Sequence, residues 1–321
     1  MIEEDDYNIV SDIEELEWEY FDRRPVALAF HVIIGITISF TGFIGNLIIF
    51  VMKLKKRRDR NGIVILILNV TLMLLIASFL LILFIIDDTH HDSTGYMQCL
   101  VRNFLQQFSF TSKLFSYIAL IIVARFYPKL STRNGMCLVV IIWLVACLYG
   151  YPHYDYEIAL VPLNDGNWKS VCAPIIYQGH EHSYARYLIT MFTFQHVVPA
   201  IVYIAILITT FNWEKNANSS QNRNIFLYAA TLGFVCNLSF VPVMVIIMEL
   251  YLSIEVNYGW LIIMSYLSHI LIVLNPIVYF YFDKGLFKEV CEIYRVIDLK
   301  LNGEEDPESM ESEDTLRIIN S

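Results

Sequence analysis

The chain has 321 residues, of which 56% are hydrophobic and 17% charged, with a formal net charge of −10. A water-soluble domain carries about 25% charged residues. Here the charges cluster between long apolar runs, which excludes a single soluble globular domain, and nucleic acid is not expected as a partner.

Residues 1–25 form an acidic tail. Its first 22 residues hold ten acids, a composition that stays unstructured when free. Asp5 and Asp6 precede Tyr7, and Glu17 and Glu19 lead up to Tyr20. Acid-flanked tyrosines on a secretory-pathway tail are candidates for sulfation. The whole is an anionic arm suited to capturing a basic protein and speeding its encounter; the plainer reading is a solvated spacer. The start has neither the basic residues nor the apolar stretch of a cleavable signal, so the first apolar segment is expected to act as its own insertion signal.

A bilayer core about 30 Å thick is crossed by roughly 20 mostly apolar residues in a helix, and seven segments meet that length. They cover residues 27–52, 61–86, 99–125, 134–154, 187–213, 224–248 and 256–282. Helices follow from the need to satisfy every backbone polar group within the segment, and the alternating ten-residue strands of a barrel are absent. Pro199, Pro242 and Pro276 are compatible with this, because membrane helices tolerate proline. Residues 283–300 place Leu286, Phe287, Val290, Cys291, Tyr294 and Ile297 at helical spacing, as in a helix lying on a membrane surface. Tyr294-Arg295-Val296-Ile297 reads either as a tyrosine-based endocytic signal or as simple membrane packing. Residues 301–321 are an acidic tail in which Ser309, Ser312 and Thr315 are possible phosphorylation sites, where phosphate would add charge for an arrestin-like partner. The expected fold is an all-α membrane protein: a seven-transmembrane helix bundle over residues 26–282 plus a short amphipathic cytoplasmic helix.

Loop charge sets the orientation. The loop after the first segment holds six basic residues between Lys53 and Arg60, and Arg125, Lys129, Arg133, Lys215 and Arg223 follow the third and fifth. The opposite side carries Asp87, Asp88, Asp92, Asp155, Glu157 and Asp165, with Lys169 and Arg186 as exceptions. An odd number of spans then puts the amino terminus outside and the carboxyl terminus in the cytoplasm, with the plasma membrane as the expected location. Of six cysteines, only Cys99 and Cys172 fall on the outer side, where an oxidising compartment favours a disulfide between them. Cys137, Cys147 and Cys236 read as small apolar packing residues. Cys291 is open to either a free thiol or palmitoylation.

Several motifs, in order and on the right segments, carry a resemblance. They are Gly45-Asn46 in the first, Trp143 in the fourth, Pro199 in the fifth, Phe240-Val241-Pro242 in the sixth and Asn275-Pro276-Ile277-Val278-Tyr279 in the seventh. Together with the Cys99–Cys172 pair, residues 26–297 resemble a divergent rhodopsin-type G-protein-coupled receptor. The resemblance implies that Arg125 meets a heterotrimeric G protein, that Asn275, Pro276 and Tyr279 rearrange on activation, and that Phe240 and Pro242 let the sixth helix swing. Such a switch is a two-state element biased by ligand.

Departures accompany the likeness. Where the family has Asp-Arg-Tyr the chain has Ala124-Arg125-Phe126, and where it has a buried aspartate in the second helix the chain has Leu74. The tyrosine expected eight residues after Pro199 is Leu207, and the family's sodium site should be missing. Loss of resting-state locks points to ligand-independent activity, whereas loss of the tyrosine and aspartate points to weak signalling. Lys113, a charge in mid-segment and therefore costly, is either a substitute for the missing sodium ion or a lysine that faces polar groups or snorkels.

The acidic arm, Tyr151-Pro152-His153-Tyr154 and the short 214–223 loop look like chemokine receptors and, given the divergence, their virus-encoded homologues. The resemblance implies a basic, chemokine-like protein ligand. Against it, no cysteine lies in residues 1–98 or 249–290 to make that branch's second disulfide, and its second-helix proline is absent. Gln106, Gln107, Gln195, His196, Asn237, Ser239, Glu249, Ser265 and His269 are candidates for a polar cavity or for hydrogen bonds between helices. Rival readings are a non-signalling decoy of the same fold and a transporter or channel, although inverted repeats and interrupted helices are not evident. Zinc-protease and hydrolase motifs are absent, so no enzyme activity, metal or cofactor is expected.

Overall fold

The apolar segments fold as helices because only intrahelical hydrogen bonding satisfies so long a run of backbone away from water. A computed structural model describes residues 25–55, 61–89, 96–150, 156–162, 168–174, 193, 197–210, 220–251, 266–267 and 269–302. Among them the helices are α1 (Pro25–Lys55), α2 (Gly62–Thr89), α3 (Tyr96–Phe126), α4 (Thr132–Gly150), α5 (Val198–Thr210), α6 (Ser220–Tyr251), α7 (Leu271–Phe282) and α8 (Lys284–Asn302). Each of the seven apolar segments overlaps one of the first seven. Among the described residues four stretches are long and apolar enough to cross a membrane: Ala29–Lys55, Gly62–Ile86, Leu100–Phe126 and Thr132–Tyr149. At about 1.5 Å per residue, even the shortest, with 18 residues, approaches the thickness of a bilayer core. The described parts of the fifth and seventh segments are shorter, at 13 and 12 residues.

Local sequence explains the helix starts. Asn61 caps α2, its Oδ1 accepting from the Val64 amide at 3.0 Å, and Ser131 caps α4 through Asn134 N at 3.3 Å. Such caps satisfy amides that have no partner in the first turn. Pro199 sits in the first turn of α5, where its missing N–H costs nothing. The α3–α4 connection is tied back by Gly62 N donating to Leu130 O at 2.8 Å. Here two glycines meet: a Cβ on Gly135 would lie 2.9 Å from the Gly62 carbonyl oxygen, so any larger residue would force α2 and α4 apart.

The α4–α5 connection holds an element that hydropathy did not foretell. β1 (Tyr156–Pro162) and β2 (Trp168–Pro174) pair antiparallel with Ile158 opposite Cys172. The intervening Leu163-Asn164-Asp165-Gly166-Asn167 is rich in turn formers.

Two compact units divide the chain, Met1–Val278 and Tyr279–Ser321. In the first, α3 is the hub, packing against α2, α4, α5, α6 and β1. Its spanning stretch is 67% buried, against 28% for α1 and 22% for α4, which therefore form the outside. Their outward faces are apolar: Phe30, Ile33 and Phe40 of α1 and Leu144 and Leu148 of α4 are exposed. A surface of that size and character suits lipid rather than water. Cys137 and Cys147 lie exposed on α4, whereas Cys236 is buried, which corrects the packing role read for the first two. Their helix faces the core on another side, through Val139, Ile142 and Ala146.

In the second unit Asp283 caps α8. Its Oδ1 accepts from Leu286 N at 3.1 Å, and its Oδ2 accepts from the Tyr279 hydroxyl at 3.3 Å. Phe287, Ile293 and Tyr294 stand exposed along α8 among lysines and glutamates.

Candidate functional site

The helices of the first unit are joined by buried polar side chains, and the central cluster contains two residues singled out in the sequence, Asn46 and Asn275. Its polarity is imposed from the backbone. Asn46 Nδ2 donates to the carbonyls of Gly42 at 2.7 Å and Ile272 at 2.8 Å. Both of its N–H groups are thereby used, so its Oδ1 must accept. Asn275 Nδ2 donates to that oxygen at 2.7 Å, which turns Asn275 Oδ1 the other way as an acceptor with two lone pairs. Tyr228 of α6 fills one at 2.7 Å and Tyr117 of α3 the other at 3.1 Å. The two rings meet edge to face, with centroids 6.2 Å apart. Asn46, Asn275 and Tyr117 are wholly enclosed and Tyr228 nearly so. One amide pair thus links α1, α3, α6 and α7.

The Gly45-Asn46 pair also has a steric reason. A Cβ on Gly45 would stand 2.6 Å from Cγ and 2.8 Å from Cβ of Pro276. Glycine lets α1 approach α7 closely enough for Asn46 to reach the Ile272 carbonyl.

A second cluster joins α2, α3 and α4. The Trp143 indole can only donate, and its Nε1 lies 2.7 Å from Asn69 Oδ1. Asn69 Nδ2 is therefore left to donate to Ser116 Oγ at 2.7 Å and Ser112 Oγ at 3.2 Å. A third cluster joins α1, α2 and α3 to Tyr266. The Tyr266 hydroxyl pairs with His31 Nδ1 at 2.8 Å, the His31 ring packs at the edge of Phe84, and the Arg102 guanidinium stands 5.9 Å from the Phe84 centroid. The Tyr203 hydroxyl of α5 donates to the Ala230 carbonyl of α6.

Lys113 lies on α3, four residues before Tyr117 and so on the same helix face. It is 5% exposed and within electrostatic range of Cys236 on α6. Among the described residues its ammonium has no hydrogen-bond or ion-pair partner. Leu74, where the resemblance leads one to expect a carboxylate, is fully buried. No group of three or more metal-binding side chains occurs among the described residues.

Arg125 ends α3 with its guanidinium 5.6 Å from the Phe126 ring centroid and takes part in further interactions. Phe240 and Pro242 lie on α6, which continues past them to Tyr251, and their side chains fall outside the described set. The same holds for the side chain of Cys99 on α3 and of Cys172 on β2, so the expected bridge lies outside the described atoms. Asp5, Asp6, Tyr7, Glu17, Glu19 and Tyr20 are outside the described residues altogether. Tyr279 belongs to the second unit, bonded to Asp283.

Two of the polar candidates bond within their own helix rather than between helices: Asn237 Nδ2 donates to Gly233 O at 3.1 Å and Ser239 Oγ to Cys236 O at 3.0 Å. Gln106 is exposed. Sequence reasoning missed Tyr117, Tyr203 and Tyr228, because a tyrosine in an apolar run reads as bulk. The signal available was that a buried phenol seeks a partner. Comparison with protein-family models finds no match, and comparison with curated proteins finds none.

Proposed function

We propose that the chain is a seven-helix cell-surface receptor of the rhodopsin type, with its amino terminus outside, that captures a basic, chemokine-like protein on its acidic arm and signals to a G protein. One observation carries the reading. Gly45-Asn46 and Asn275-Pro276, singled out as separate motifs far apart in sequence, meet in the core: Asn275 Nδ2 bonds Asn46 Oδ1 at 2.7 Å while Gly45 abuts Pro276. The Trp143–Asn69 bond gives the fourth-segment motif a partner in α2. Buried polar side chains in apolar helices are costly and are kept where they do something.

The fold is suited to signalling because neutral hydrogen bonds, strong enough to hold helices and weak enough to exchange, join α6 to α3 and α7. Ala124, buried beside Arg125, stands where the family has an aspartate, which favours activity without ligand. The exposed Phe287 and Tyr294 of α8, among lysines and glutamates, suit a lipid surface.

The test expresses the full chain in cells and measures G-protein activation without ligand against Arg125→Ala, then binding of a chemokine panel with and without residues 1–22. Arg125-dependent basal signalling, and binding that weakens with salt and with loss of the arm, are expected. Equal signals from both chains reject ligand-independent activity, and uptake of ligand without a signal identifies a decoy. Binding that ignores salt and survives the deletion rejects the anionic arm.

A further inference from the structure

We propose that Tyr117 and Tyr228 form a neutral latch that closes the α3–α6 seam on Asn275, and that Lys113, one turn along the same seam, loads it toward opening. The inference rests on the receptor reading for the outward movement of α6 and for its signalling readout. Two hydroxyls from different helices share one acceptor, at 2.7 Å from Tyr228 and 3.1 Å from Tyr117. That acceptor cannot turn away, because Asn275 is held by Asn46, and Asn46 by two backbone carbonyls. The latch therefore has a fixed side (α1 and α7) and a movable one.

The seam is close-packed beside it: a Cβ on Gly233 would come 3.3 Å from Tyr117 Cβ. Outward movement of α6 breaks the Tyr228 bond to an oxygen that is wholly enclosed in the closed seam, and the loss of that bond is the cost that keeps the seam shut.

Lys113 works in the opposite direction. Its side chain is 5% exposed at the α3–α6 contact, near a cysteine rather than a carboxylate, and among the described residues it has no hydrogen-bond or ion-pair partner. An ammonium held so is penalised in the closed state, and parting of α3 from α6 admits water to it. Closed and open states thus differ by two terms of opposite sign, both set by this sequence. Had Lys113 served as a substitute cation for a resting-state site, it would stabilise the closed form instead, so the sign of its effect separates the two ideas.

The experiment measures the distance between spin labels at Arg223→Cys, in the first turn of α6, and Met136→Cys, in the first turns of α4. It uses the full chain in lipid nanodiscs, with Cys137, Cys147 and Cys291 changed to serine. Tyr228→Phe is expected to enlarge the long-distance population at least threefold, Tyr117→Phe to do so by less because its bond is longer, and Lys113→Met to reduce that population. Basal G-protein activation should follow the same order. If Tyr228→Phe fails to fold, judged by loss of helical circular dichroism, Tyr117→Phe alone decides. An unchanged distribution in a folded tyrosine variant overturns the latch, and growth of the open population in Lys113→Met overturns the loading. Shifts in distance without any G-protein signal keep the latch and reject the receptor reading instead.

Discussion

Replacing Trp143 by phenylalanine isolates one interhelical hydrogen bond. The phenyl ring is smaller than the indole but keeps an aromatic edge toward Phe108, whose centroid now lies 6.2 Å from that of Trp143. It loses the N–H that lies 2.7 Å from Asn69 Oδ1. Asn69 is 4% exposed, so its carbonyl oxygen is stranded away from water. A hydrogen bond between membrane helices is worth about 0.6 kcal/mol on average and up to about 1.7, and stranding a buried acceptor costs about 1–3 kcal/mol. Trp143→Phe should therefore destabilise by about 1–2 kcal/mol. Asn69→Leu removes the amide and leaves the Trp143 N–H without its acceptor, while Ser116 keeps its own bond to the Ser112 carbonyl at 2.7 Å. The double variant should lose less than the sum of the singles, with a coupling of about 0.6–1.7 kcal/mol. Thermal unfolding followed by the Cys236 thiol is a suitable assay, since that cysteine is buried while Cys137, Cys147 and Cys291 are exposed and can be blocked first. A shift of about 2–4 °C accompanies each kcal/mol. Strict additivity of the two substitutions would refute the reasoning, because it would mean that the indole and the amide do not stabilise each other.

Gly45→Ala inserts a methyl 2.6 Å from Pro276 Cγ and should cost about 1–3 kcal/mol of overpacking strain, read as a lower unfolding temperature, with Gly45→Leu preventing accumulation of folded protein. Asn61→Ala and Ser131→Ala each remove a helix cap and should each cost about 1 kcal/mol, with faster amide exchange confined to the first turns of α2 and α4. Asp283→Ala frees the Leu286 amide and the Tyr279 hydroxyl, so exchange should rise at the start of α8 while α1–α4 stay unchanged. Tyr203→Phe deletes a bond to a carbonyl inside α6 and should lower stability by about 0.6 kcal/mol, less than Trp143→Phe does.

The first four spanning stretches were legible in the sequence because length and hydropathy are local properties: the expected 27–52 and 61–86 fall inside or within a residue of Pro25–Lys55 and Gly62–Thr89. The hairpin was not, since a strand pair in a polar connection has no hydropathy signal and depends on pairing across a turn. The motif residues were legible singly, but their meeting was not: nothing in Gly45-Asn46 says that it faces Pro276 rather than lipid. Tyr117 and Tyr228 were hidden for the same reason, because a phenol in an apolar run declares its partner only when three helices converge. Cys137 and Cys147 were misread because the outward face of a membrane helix is as apolar as its core, so hydrophobicity does not tell inside from outside.

The most direct test of a receptor that spans the membrane seven times is the accessibility of epitope tags at the two ends of the full chain in intact cells. An odd number of spans predicts that the amino-terminal tag binds antibody without permeabilisation and the carboxyl-terminal tag only after it. Both tags reachable from the same side would contradict the topology, and with it the assignment of the acidic arm to ligand and of Arg125 to the G protein.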